Sequence, residues 1–278
     1  MLADVVDHLI CPACRTAIHL AEGSVRCAHG HSFDVARQGY VNMLTRPAGT
    51  ADTSAMVAAR ARFLEAGHYA PLARRLARMC EGAAVVADAG AGTGYYLAAA
   101  LGDDAVGIAI DVSKHALKRA ARAHPRVGAV VADVWRPIPV GDDRVDVLLN
   151  VFAPRNAEEF ARMLRPGGSL VVVTPGPGHL SPLVERLGLL SVDEDKDRRL
   201  DDTLGGRFAR TAEETEEITL SLGHDEVEAV VGMGPSAWHT RPEDLAAKIA
   251  ALPAPMPVTA SFHITRWTAR RRPSRTRK

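Results

Sequence analysis

The chain has 278 residues, 47% hydrophobic and 24% charged, which is enough apolar material for one sizeable core plus a small appendage. No apolar run approaches the roughly 18 residues of a membrane span, and Met1 to Ile10 carries Asp4 and Asp7 where a signal peptide would carry Lys or Arg, so a cytoplasmic protein with no membrane partner is expected. Net charge is only +1, but from Arg266 onward there are seven basic residues and no acid, which leaves −6 on the rest of the chain. Such a tail is either a polyanion contact or a solvated terminus.

Three of the four cysteines crowd near the start as Cys11-x2-Cys14-x12-Cys27, followed by His29 and His31. Two tight turns across a short hairpin, each supplying two ligands, suit a closed tetrahedral Zn²⁺ site. The fourth ligand is His31 or, with a tighter bite, His29. A full set of protein ligands leaves no position for water, so the zinc is structural, and it stabilises a segment too small to bury much of a core.

Phe33 to Pro47 shows no clean period and reads as an irregular connection. Asp52 to Arg78 predicts two helices broken at Gly67 and Pro71, the first capped by Asp52, Thr53 or Ser54. Residues 1–80 hold nine Arg against six acids. Then short β-rich runs alternate with helical ones: strands at Val85–Asp88, Val106–Asp111, Val127–Asp133, Val145–Val151 and Ser169–Thr174, with helices at Tyr95–Leu101, Ser113–Ala123 and Asn156–Leu164. That alternation predicts an α/β, doubly wound parallel sheet. Leu183 to Arg210 reads as charged and loop-rich, and Ile218–Leu222 and Val258–Thr268 as later strands.

The first of these strands ends in Asp88-Ala-Gly90-Ala-Gly92-Thr93-Gly94-Tyr95. A dinucleotide fingerprint, G-x-G-x-x-G, would place its third glycine where Tyr95 stands. Asp88 would face the ligand, which suits a cationic amino-acid group and repels phosphate. Both departures favour S-adenosylmethionine over a nicotinamide dinucleotide. Asp111 ends the second strand, where a carboxylate can accept from both ribose hydroxyls, and Asp133 ends the third, where an acid meets the adenine. Leu164 to Val173 fits the helix, turn and fifth strand of such a domain.

Taken with the zinc knuckle, the runs FDVARQGYVNML, ARARFLEAGHYAPL, NVFAPRNAEEFARMLRPGG and TPGPGHL resemble the 23S rRNA guanine-N1 methyltransferases that modify hairpin 35, from Cys11 to about Trp267. The resemblance implies a seven-stranded class I methyltransferase domain (residues 81–269) after a zinc-knuckle RNA-binding domain (1–36), a connecting and helical segment (37–80) and a basic, disordered tail (270–278). It implies metal ligation by Cys11, Cys14, Cys27 and His31, and cofactor contacts at Tyr69, Gly92, Thr93 and His179. By pattern alone Tyr69 reads as a core aromatic and His179 as a helix start. Of two branches, acting at nucleotide 745 or 748, NVFAPRN and MGPSAWH look more like the second, which includes self-resistance enzymes of tylosin- and mycinamicin-type macrolide producers. The implied partners are 23S rRNA and a second copy of the chain as a homodimer; DNA is not expected.

Guanine N1 lies on the Watson–Crick edge, so the target base must be unpaired or turned out of its stack. Asn150, followed by Phe152 at the end of the fourth strand, is the candidate for positioning that base, or else a turn-forming Asn. Asp133 and Asp146 are the candidate proton acceptors. A small-molecule methyltransferase would share the cofactor motifs without needing a knuckle or a basic flank, and a zinc RNA-binding protein would need no intact glycine loop.

Overall fold

A computed structural model describes residues 1–189, 196–234 and 242–270. The chain opens with α1 (Leu2–Val5) and a 3-10 turn, Val6–His8. Strands β1 (Ile18–Ala21), β2 (Ser24–Cys27) and β3 (Ser32–Asp34) then make a three-stranded antiparallel sheet, a ribbon in which β2 is central. Next come β4 (Tyr40–Asn42), α2 (Ser54–Glu65) and α3 (Ala70–Met79). The Thr53 hydroxyl caps α2 by accepting from the Met56 N–H at 3.2 Å, which satisfies one of the first-turn donors.

The body alternates: β5 (Val85–Ala89), α4 (Tyr95–Ala100), β6 (Val106–Asp111), α5 (Lys114–Ala123), β7 (Val127–Val131), β8 (Val145–Val151), α6 (Ala157–Met163) and β9 (Leu164–Pro175). After α7 (Leu183–Leu187) and α8 (Lys196–Leu204), the long strands β10 (Phe208–Leu222) and β11 (Met256–Ala269) flank α9 (His224–Gly232) and α10 (Pro242–Ala250). Among the described residues these build one eight-stranded sheet in the order β10-β11-β9-β8-β5-β6-β7-β4. From β9 to β4 neighbouring strands run parallel, and β11 is antiparallel to both of its neighbours.

Alternate residues of each central strand feed opposite faces. Val86, Ala109, Val131 and Leu149 face one buried cluster, while Val85, Ala87, Ile108, Val130 and Leu148 face the other. Strands covered on both faces read as near-continuous apolar runs, which is why they were legible as strands.

Three expectations are corrected. The connection 33–47 is not irregular throughout: β3 ends in it, and β4 adds an eighth strand beside β7, three residues long and therefore too short to show a period of two. Leu183 to Arg210 carries α7 and α8. The strand expected from Ile218 begins ten residues earlier: in Phe208–Glu217 the exposed positions Thr211, Glu213, Thr215 and Glu217 alternate with half-buried ones along the sheet edge, and polar and charged residues there block edge-to-edge pairing while diluting the strand signal.

The zinc segment is locked to the body. Gly128 of β7 leaves room for α1: an added Cβ would lie 2.1 Å from Val5 Cγ2. The Ile10 N–H donates to Pro139 O at 3.1 Å, the Gly141 N–H donates to His8 O at 2.8 Å, and Arg15 pairs with Asp142 at 3.2 Å. Buried Arg162 fixes the receiving loop by donating to Ile138 O, Val140 O, Asp142 and Glu159.

Candidate cofactor and zinc sites

Strand order reverses at β5, whose neighbours β6 and β8 lead to opposite edges, and in such sheets ligands bind at the carboxyl ends beside the reversal. The glycine loop sits there. Its three glycines all have positive φ but do different things. A Cβ on Gly90 would lie 2.2 Å from the Ala153 methyl, and one on Gly94 would lie 3.0 Å from Ala120, so these two permit close packing. Only at Gly92 does the missing Cβ face a movable group, the Arg60 guanidinium at 3.5 Å. Ligand access to the backbone therefore centres on Gly92 and on Thr93 beside it.

Asp88 lies at the end of β5, 1% exposed, with Oδ1 unpartnered. Burial, with the Asp111 charge adding, pushes its carboxyl up to about 8. An orphaned buried carboxyl is what a cationic amine would satisfy, so the residues present fit the amino-acid end of S-adenosylmethionine. Asp111, at the end of β6, accepts from Gly92 N and Ser113 N, each at 2.8 Å, and burial raises its pKa too. Asp133, just past β7, accepts from Trp135 N at 3.0 Å, which fixes it on the same rim. Asn150 is fully buried; its amide donates to Ala89 O and Pro154 O, both at 2.9 Å, and its Oδ1 is unpartnered. It braces the ends of β5 and β8 as well as pointing a bare acceptor into the interior.

Tyr69 stands at the N-terminus of α3, 2% exposed, with its hydroxyl unpartnered and its ionisation pushed above the ordinary range by burial. Its ring meets Phe63 and Phe262 edge-on at 5.0 and 4.9 Å, and His179 at 6.5 Å. His179 Nδ1–H donates to Ser261 O at 2.7 Å, and the imidazole lies 6.4 Å from Phe152. Tyr69, Phe152, His179 and Phe262 thus form one aromatic group reached from β8, β9, β11 and α3.

Asp146 is elsewhere. It lies at the opposite end of β8, accepts from Ala84 N and Val85 N at 2.7 and 2.9 Å, and pairs with Arg165. This corrects its candidacy as proton acceptor: it anchors the starts of two strands. Sequence reasoning missed Arg60, which pairs with Asp52 and donates to Met233 O at 2.9 Å above the loop, and the backbone of Phe152, held at φ +54° and 42% exposed. Positive φ in a bulky residue marks strain, and no residue type signals it. All but two residues of the MGPSAWH run fall outside the described residues.

In the ribbon, Cys11, Cys14, Cys27 and His31 bring their ligand atoms within 4.8 Å of one another. His31 Nδ1 is 3.5 Å from Cys11 Sγ and 3.3 Å from Cys27 Sγ, and Cys14 Sγ is 3.6 Å from Cys27 Sγ. The Thr16 hydroxyl, 3.1 Å from Cys14 Sγ, draws that thiol down to about 5, toward the thiolate a metal needs. Three sulfurs and one imidazole nitrogen are a donor set that fits Zn²⁺.

A doubly wound sheet with a glycine loop at its reversal and acids ending the next two strands is that of a class I methyltransferase using S-adenosylmethionine, here preceded by a zinc ribbon. Residues 9–48 match the RlmA N-terminal zinc-ribbon family and residues 86–168 match a methyltransferase domain family. The chain is 50% identical over 274 residues to the 23S rRNA (guanine(748)-N(1))-methyltransferase of Streptomyces fradiae, covering 95% of this chain and 98% of that one. It is 49% identical over 292 residues to a candidate 23S rRNA (guanine-N(1)-)-methyltransferase of Micromonospora griseorubida, covering 96% and 99%. The YcgJ protein of Bacillus subtilis shares the fold, with 15% identity and a TM-score of 0.51 over 72% of this chain and 99% of its own. The chain belongs to the 23S rRNA (guanine-N1)-methyltransferase family.

Proposed function

We propose that this enzyme methylates N1 of guanine 748 in hairpin 35 of 23S rRNA, as a homodimer, and that the modification gives resistance to tylosin- and mycinamicin-type macrolides. The observation that carries this reading is 50% identity to the guanine-748 enzyme of Streptomyces fradiae across almost the whole of both chains. Zinc ribbon and methyltransferase body on one chain support it, because a small-molecule methyltransferase has no use for the ribbon.

When bound, S-adenosylmethionine would supply an electrophilic methyl that leaves behind a neutral thioether, and the proton lost from guanine N1 would pass to water. The chain's work is then to hold and align. Asp88 takes the amino group, Asp111 the ribose hydroxyls and Asp133 the adenine; Gly90 and Gly94 let the loop pack closely so that Gly92 and Thr93 offer the cofactor its close approach, with Tyr69 and His179 closing the far side. Phe152, strained and half exposed beside His179, offers a face for the extruded guanine to stack on, and Asn150 stiffens the turn that presents it. In-line geometry held this way supplies most of the acceleration such a transfer needs. Cys11, Cys14, Cys27 and His31 hold zinc away from the reacting atoms, so the ribbon grips RNA and takes no part in chemistry.

Tritium transfer from labelled S-adenosylmethionine to protein-free 23S rRNA tests the substrate class. Label in the rRNA is expected; label only in small molecules from a cell extract would overturn it. For the resistance role, expression in a macrolide-susceptible host should raise tolerance to tylosin, and unchanged tolerance despite methylated rRNA would separate resistance from the chemistry.

A further inference from the structure

Helix α5 carries His115, Lys118, Arg119 and Arg122 at the spacing i, i+3, i+4, i+7, which puts all four on one face. That face forms one wall of a groove of about 770 Å³ whose other walls come from α2 and α4, with Val57, Ala61 and Tyr95 among its apolar lining. Thr93, in the cofactor loop, also lines it, so the groove leads up to the cofactor site. All four basic side chains are exposed, and none makes an ion pair or side-chain hydrogen bond among the described residues. Among the described residues Glu65 is the one acid lining the groove. Other arginines are paired, Arg60 with Asp52 and Arg75 with Glu214 among them, while Arg62, Arg74 and Arg78 on α2 and α3 are exposed and, like the α5 cations, make no ion pair among the described residues. What sets Lys118, Arg119 and Arg122 apart is their place: three cations on one helical face line a groove with apolar walls that reaches the cofactor loop, and their charge complements a polyanion that can bridge successive positions.

We propose that the α5 stripe of Lys118, Arg119 and Arg122 binds the phosphate backbone of the substrate RNA as it runs through this groove toward the cofactor site. The proposal rests on the reading of the substrate as rRNA and adds a second RNA contact, built on the methyltransferase body, to the one expected of the zinc ribbon. Phosphate contacts position RNA and release counterions without reading bases.

The test compares wild type with a triple variant, Lys118→Ala/Arg119→Ala/Arg122→Ala, and with Lys114→Ala, which removes a charge from the same helix outside the groove. Alanine is the best helix former, and all these positions are exposed, so the fold is retained. Anisotropy of a labelled hairpin 35 transcript across a salt series gives the slope of log affinity against log salt. The triple variant should lower that slope by about two to three units, since each lost contact removes ~0.7 to 0.9, while Lys114→Ala leaves it within a fraction of a unit. S-adenosylhomocysteine affinity should be unchanged in both. An unchanged slope in the triple variant overturns the proposal, as does an equal fall in Lys114→Ala, which would mean diffuse attraction to the helix. A triple variant that changes the molar mass by light scattering assigns the groove to an interface between copies, also against the proposal. Failure of the wild type itself to methylate rRNA would instead sink the substrate reading.

Discussion

Asp88 binds a proton in the cofactor-free protein at neutral pH, because its carboxyl is held at about 8, well above the ordinary carboxylate value. The sign of the consequence is fixed by linkage. Between about pH 4 and 8 the folded state holds a proton that the unfolded state has released, so this group's contribution to stability falls as pH rises through that window. A bound ammonium reverses the preference. Binding of S-adenosylhomocysteine at pH 7 should therefore release a proton, and affinity should rise with pH between 6 and 7.5 by at most about tenfold per unit. Calorimetry in two buffers of different ionisation heat measures both; Asp88→Asn should abolish the slope, and a flat wild-type profile would remove Asp88 from the amine site. Gly92→Val should cost the protein measurable cofactor binding, since a branched side chain at φ +54° is strained and fills the approach; wild-type affinity in that variant would exclude the loop from the site. Asp88 and Asp111 were legible from their offsets to the glycines. Tyr69 and His179 were not, because an aromatic at a helix start and a histidine after a strand have no pattern of their own, and only resemblance marked them.

At the scale of elements, the zinc ribbon shares an apolar core with one face of the sheet, Leu9, Ile18 and Val25 lying in one buried cluster with Val130 and Leu148, but its ligand turns depend on metal. The sheet is buried on both faces and needs no metal, so removing one ligand should loosen the ribbon's ligand turns and spare the sheet. Cys14→Ser is expected to lose its zinc and much of its RNA affinity while binding S-adenosylhomocysteine as the wild type does. One zinc per chain in that variant, by elemental analysis, would break the ligand assignment. The central strands were readable because burial on both faces makes them uniformly apolar. Elements at the margins were not: β4 is three residues long, β10 is masked by the charged run Glu213–Glu217, and α8 is charged enough to pass for loop. Their structure is decided by neighbours across the sheet or beneath the helix, which a single sequence window does not contain.

Across the whole molecule, charge is sorted by place more than by amount. The basic excess of residues 1–80 lies in 37–80, with seven Arg against Asp52 and Glu65, while 1–36 holds two Arg against four acids; with a basic groove beside α5 and an acidic sheet edge at β10, this distribution favours approach of a polyanion on the α2–α3 and α5 side of the molecule. The final basic run adds to this, but Arg270 belongs to the folded body: its N–H donates to Arg207 O, and its guanidinium to Gly205 O and Phe208 O. The rest of the run, from Arg271, lies outside the described residues. Truncation after Arg270 removes five basic residues; it should leave the modified nucleotide unchanged and lower the salt slope of RNA binding. A shift of methylation to another nucleotide would mean that the run reads RNA shape, and an unchanged slope that it is solvated. The most direct measurement of the enzyme's function is primer extension on 23S rRNA treated with the protein and S-adenosylmethionine, since a methyl on guanine N1 blocks base pairing. A single new reverse-transcriptase stop at guanine 748 of hairpin 35, absent without the cofactor, is the predicted result; rRNA that carries no new stop, or a stop outside that hairpin, would contradict it.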